Sequence, residues 1–155
     1  MTRIIDYCSF APSYPVARYV LRMWSISFPS TVIVGLLVMG FSSTKPAGHT
    51  AHAALAAFST VVLVPVIETL LLAATINLVS RFAREPNAVG IGAALIWAGL
   101  HSLAWLPWGL IVAWSFYVMS RAYLAWRPLG FGRAFLVVVC IHAAHNLIPA
   151  LVMLA

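Results

Sequence analysis

Between residues 53 and 80 the chain carries one charged side chain, Glu68, in a run that is otherwise apolar and long enough to cross a bilayer. That run narrows the possible folds more than any other feature. A soluble protein that buried it would need a large polar exterior. Yet only 8% of the residues are charged, against about 25% in an ordinary soluble domain. The acidic residues are Asp6, Glu68 and Glu85, and they cannot make a water-facing surface. The fold class implied is an all-α membrane protein with lipid as its solvent.

Polar and Pro/Gly punctuation separates five apolar spans, at about 23–41, 53–80, 88–106, 108–120 and 133–155. They predict a bundle of about five transmembrane helices forming one domain over 1–155. Pro65 predicts a kink in the second span one turn before Glu68, because proline lacks a backbone donor and crowds the preceding turn. No internal repeat or low-complexity segment is apparent.

The net charge of +6 would suggest nucleic acid in a soluble protein, but the basic residues are scattered singly between spans, so no nucleic-acid partner is expected. They serve better as topology signals. Arg3, Arg18 and Arg22 precede the first span, Arg81 and Arg84 follow the second, and Arg121, Arg127 and Arg133 separate the fourth from the fifth. Lys45 alone falls on the opposite side. The positive-inside rule then predicts five crossings with a cytoplasmic N-terminus, split at Pro107 between the third and fourth spans. Trp24, Trp105, Trp108, Tyr123 and Trp126 lie near span ends and read as interface anchors.

The first fifteen residues lack an apolar core and a small-residue cleavage pattern, so no cleavable signal peptide is expected there. Cys8 lies outside the spans and Cys140 inside one, which predicts two free thiols, Cys140 as a small packing residue. His49 and His52 sit in a loop without acidic or thiol companions and read as solvated.

A carboxylate near mid-bilayer costs on the order of 3 kcal/mol on insertion scales, so Glu68 calls for a functional explanation. It has company. His101, His142, His145 and Asn146 also lie within apolar spans. Counting about 1.5 Å per residue from the cytoplasmic ends puts Glu68 roughly 18 Å deep, His101 roughly 19 Å and residues 142–146 roughly 12 to 18 Å. One shared layer on three helices points to a common polar pocket. His142 and Asn146, four apart, share a helix face, and His145 lies on the neighbouring side.

These residues, in this order and at this depth, resemble the motifs of the CAAX prenyl-protease and bacteriocin-processing family of intramembrane proteases. The likeness runs over about 65–149. Glu68 stands at the first motif, Trp97-Ala98-Gly99-Leu100-His101 at the second, and His142-Ala143-Ala144-His145-Asn146 at the third. Thr69 and Ala73 stand where the family has a second glutamate and an arginine, and Trp97 stands where it has phenylalanine. The resemblance implies that Glu68 and His101 activate a water, that His142 and Asn146 stabilise the oxyanion, and that the substrate is a membrane-embedded peptide or protein. The expected location is the bacterial inner membrane.

The glutamate mechanism requires no cofactor, although Glu68, His101 and His142 are also three candidate zinc ligands without an HExxH helix. Two other classes remain open. A non-enzymatic small subunit of a larger membrane complex would keep the fold and use its histidines for packing or for contact with a pigment. A proton or ion carrier would use Glu68 and the histidines as a relay, though five spans show no inverted repeat.

Overall fold

The computed structural model describes residues 10–41 and 52–154, all of it helix and short connections, with no strand among the described residues. Asp6, Cys8, Arg3, Lys45 and His49 lie outside the described residues. Helix α1 spans Val16–Phe41, α2 spans Ala53–Val79, α3 spans Pro86–Ser102, α4 spans Trp108–Trp126 and α5 spans Phe131–Leu154.

Helices α1, α2 and α5 are long and apolar enough to cross a membrane. Helices α3 and α4, 17 and 19 residues long, are shorter and form a closely packed hairpin. Helix α1 lies against α4 and α5, while α2 lies against α5 and α3.

The distribution of side chains is that of a protein dissolved in lipid. Large apolar groups face outward, with Leu36 68%, Leu95 65% and Leu110 68% exposed, whereas Ser27, Thr69 and Ser120 are at 0%, 1% and 0%. An aqueous solvent would reverse that arrangement.

The punctuation acts locally as its chemistry requires. Glu85 caps α3 by accepting the Ala88 N–H at 2.7 Å, and Pro86 opens that helix where no amide donor is needed. Helix α3 stops at Ser102, and Pro107 precedes the first turn of α4, so the break between the third and fourth spans is real. A 3-10 turn at Arg127–Leu129 leads to Gly130, whose φ of 111° suits a residue without a Cβ. At the contact between α3 and α4, a Cβ on Gly109 would strike the Ser102 hydroxyl and the Ala98 carbonyl. The hairpin's close approach depends on that glycine.

Several expectations need correction. Helix α1 begins at Val16 rather than near residue 23, so Arg18 and Arg22 lie on the helix. Helix α4 continues beyond Arg121 to Trp126. Arg121 is therefore a buried helical residue rather than a loop charge. It is 7% exposed, its Nη1 donates to Tyr117 Oη at 3.2 Å, and its guanidinium covers the Phe10 ring at 4.6 Å.

Tyr123 and Trp126, expected at the interface, are 2% and 1% exposed in the core, with Tyr19 edge-on to Trp126 at 5.2 Å. Continuing α4 by another turn and a half carries both rings inward, Trp126 against α1. Cys140 is a free thiol, but it faces outward from α5 instead of packing inside. Finally, α2 answers Pro65 by widening rather than by a simple kink. Ser59–Leu63 form a π turn, and the regular helix resumes at Val64.

Candidate functional site

The π turn and Pro65 determine how α2 meets α5. The Val64 N–H bonds back to the Ser59 carbonyl, one residue further than in an α-helix, and Pro65 has no N–H to contribute. The Thr60 carbonyl receives the Asn146 side-chain amide from α5 at 2.9 Å. This bond pins the two helices together two turns from Glu68.

Glu68 follows Pro65 by three residues and projects from the same side of α2 as Val64 and Thr60 into a cleft of about 680 Å³. Its neighbours Thr69 and Ala73 point elsewhere, into the packed core, at 1% and 2% exposure. The positions at which the resemblance expects a second glutamate and an arginine thus lie in the packed core of this chain, away from the cleft.

His101 comes from the last turn of α3. Its Nδ1 lies 2.9 Å from the Trp97 carbonyl, which only accepts, so Nδ1 carries the proton and Nε2 is directed outward. That nitrogen stands 3.9 Å from Glu68 Oε1. From α5, His142 Nε2 stands 3.4 Å from Glu68 Oε2. Side-chain exposure is 24% for Glu68, 16% for His101 and 6% for His142, so the carboxylate is the most accessible of the three.

The four residues singled out from the sequence, Glu68, His101, His142 and Asn146, do line one cleft. Their shared depth is a genuine spatial cluster. Its aromatic scaffold is Phe116 of α4, with ring centroids 5.1 Å from His101, 5.9 Å from His142 and 4.9 Å from a stacked Trp97. The aromatic residue four before His101 therefore has two tasks. It supplies the carbonyl that sets the imidazole tautomer and a ring that fixes Phe116.

His145 belongs to the cleft wall as well, and its partner comes from α1. Its Nδ1 is 3.0 Å from the Ile141 carbonyl and its Nε2 is 3.0 Å from the Ser27 hydroxyl. Ser27 is fully buried and does not line the cleft, so this serine-histidine pair has no access to a substrate. Its work is to join α1 to α5. A second hydroxyl pair joins α1 to α4. Thr31 donates to the Ser27 carbonyl at 3.1 Å, which leaves Ser115 as the donor in the 2.6 Å contact between their oxygens.

Sequence reasoning passed over Ser27, Thr31, Ser115 and Phe116. The four-residue spacing of Ser27 and Thr31 within an apolar run was the available signal.

Among the described residues, no group of three His, Cys, Asp or Glu side chains is arranged to hold a metal ion. Glu68, His101 and His142 are neighbours without being a ligand set. What the arrangement offers is a carboxylate between two imidazoles, open to an apolar cleft. The chain matches no family model, and comparison with curated proteins and with solved structures gives no match.

Proposed function

We propose that this protein is an intramembrane peptidase of the CAAX-protease-like kind, in which Glu68 acts as general base toward a water that attacks a peptide carbonyl. One observation carries the reading. His101 and His142, singled out with Glu68 by their shared depth and motif order, come from two other helices to within 3.9 Å and 3.4 Å of its carboxylate. The 3.9 Å gap between Glu68 Oε1 and His101 Nε2 is too long for a direct hydrogen bond and suits a water held by both.

In the proposed step the Glu68 carboxylate takes a proton from that water as its oxygen bonds to the scissile carbonyl carbon. The protonated carboxyl then returns the proton to the leaving amine. His142 Nε2, in the tautomer protonated there, and the second amide hydrogen of Asn146 are the donors we assign to the developing oxyanion. The first amide hydrogen holds Thr60 and keeps the side chain oriented.

The substrate class that fits an apolar cleft between membrane helices is a membrane-embedded peptide segment. The arginines near the span ends support a cytoplasmic N-terminus, testable with reporter fusions at both ends, and the bacterial inner membrane is the location that the resemblance implies. The test of the activity is incubation of the purified chain in lipid nanodiscs with a library of membrane-segment peptides, with fragments read by mass spectrometry. New termini that require the chain support the reading. An intact library removes it.

One observation favours a second reading, a non-catalytic subunit of a larger membrane complex. Thr69 and Ala73 are buried in the core where the resemblance expects a second glutamate and an arginine, so of the three charged groups expected in the first motif only Glu68 is present. In that reading the chain co-purifies with a larger assembly after mild detergent extraction, and its native mass exceeds that of one chain.

A further inference from the structure

The cleft has an electrostatic character that water activation does not require. Among the described residues lining it, Glu68 is the only acidic group and none is a lysine or arginine. Aromatic rings line the same cleft, packed against its histidines. Trp108 is edge-on to His101 at 5.7 Å, Phe116 lies 5.1 Å from the same imidazole, and Phe28 closes the α1 side next to His145 at 5.8 Å. Aromatic faces attract cations through their quadrupole, most strongly where water is excluded, and a carboxylate in the same apolar space adds a full opposite charge. The remaining wall is aliphatic, with Val32, Ile111 and Ile148 among its members. A cleft of about 680 Å³ falls within the size range of small-molecule sites.

We propose that this cleft binds an organic cation bearing apolar groups, with its charge next to Glu68 and its substituents against Trp108, Phe116 and Phe28. A small hydrated cation is a poor occupant, because the walls offer few oxygens to replace its water shell. An organic anion meets Glu68 and the negative ring faces. The inference uses the same cleft as the peptidase reading but needs no hydrolysis. If both hold, such a cation occupies the place of the attacking water and inhibits cleavage competitively.

Tetraphenylphosphonium and tetraphenylborate separate charge from shape, since they are close in size and opposite in sign. Calorimetric titration of each into the full chain in detergent micelles, with empty micelles as the blank, is the experiment. Saturable binding of the phosphonium at one per chain is expected, tighter than the borate by about tenfold or more. Folded Glu68→Gln should weaken the phosphonium by about tenfold or more and, by removing a repelling charge, strengthen rather than weaken the borate. Should that variant not fold, Trp108→Leu provides the second reading, with an expected loss of about threefold or more for the phosphonium alone.

Equal binding of the two ions, no saturable phosphonium binding, or unchanged affinity in either folded variant overturns the proposal. The peptide-library assay, run on the same preparation, distinguishes the two readings. Cleavage without cation binding ends this inference and leaves the peptidase, whereas saturable cation binding without cleavage supports this inference and removes the peptidase.

Discussion

The Asn146 amide donates to the Thr60 carbonyl at 2.9 Å, across the point where Pro65 interrupts the backbone ladder of α2. A side chain on one helix therefore serves the backbone of another. Because Glu68 is carried on the segment that follows, the bond also fixes the height at which the carboxylate faces α5.

Removing this bond should loosen the pair of helices by a measurable amount. Asn146→Ala is expected to cost about 1 kcal/mol, the usual scale for an interhelical hydrogen bond in a membrane. Pro65→Ala returns an N–H to the ladder and lets α2 close into a regular helix, so the amide has less to do. The double variant should then show a smaller loss from Asn146→Ala than the wild-type background does, measured by reversible unfolding in mixed micelles. Strictly additive effects would show that the π turn and the amide are independent.

Ser27 and His145 should behave as one unit. Ser27→Ala leaves the His145 Nε2 without its α1 partner in a buried setting, at an expected cost of about 1 kcal/mol. His145→Ala should cost more, since it also removes the ring packed against Phe28. Thermal unfolding of the two single variants and the double should reveal coupling, with the double less destabilised than the sum. Hydrogen exchange should rise first in α1. A Ser27→Ala protein with wild-type stability would show that the contact contributes nothing to the docking of α1.

Two glycines in the hairpin make opposite predictions. Gly109→Ala places a Cβ against the Ala98 backbone carbonyl and the Ser102 hydroxyl, and backbone cannot move aside as a flexible side chain can. The α3–α4 contact must open, and folded yield should fall sharply. At Gly99 a Cβ meets nothing within 4 Å. Gly99→Ala should fold normally and gain up to about 1 kcal/mol from helix propensity. Size-exclusion profiles and melting curves of the pair provide the check, and equal tolerance at both sites would show that the hairpin is not held by close approach.

What the sequence revealed and what it concealed have the same physical origin. The spans were legible because Pro107, the Arg127 to Gly130 turn and the charges around Glu85 interrupt runs that lipid would otherwise leave continuous. The layer of Glu68, His101, His142 and Asn146 was legible because helical rise converts residue count into depth, and ionisable groups are rare at that depth.

Position along a helix does not reveal which neighbour lies across from it. Nearness to a span end suggests the interface for Trp126 and Tyr123, but α4 runs on past Arg121, burying both rings and turning Trp126 against Tyr19 of α1. Ser27, Thr31 and Ser115 are small hydroxyls that fit any apolar helix by bonding to their own backbone, so they give little signal until a partner helix is seen. The widening at Ser59–Leu63 was half legible. Pro65 announced a disturbance, but not that it takes the form of a π turn whose Thr60 carbonyl accepts from the Asn146 amide of another helix.

In the proposed reaction the Glu68 carboxylate, set between His101 and His142, is the base. Glu68→Gln preserves the shape of the side chain and its capacity to bond both imidazoles while removing its basicity. Cleavage of a membrane-embedded peptide by wild-type and Glu68→Gln proteins, compared at equal amounts of folded material, is the direct measurement. The account predicts a fall in rate of at least about a hundredfold with folding preserved. A Glu68→Gln protein that cleaves at the wild-type rate would contradict it.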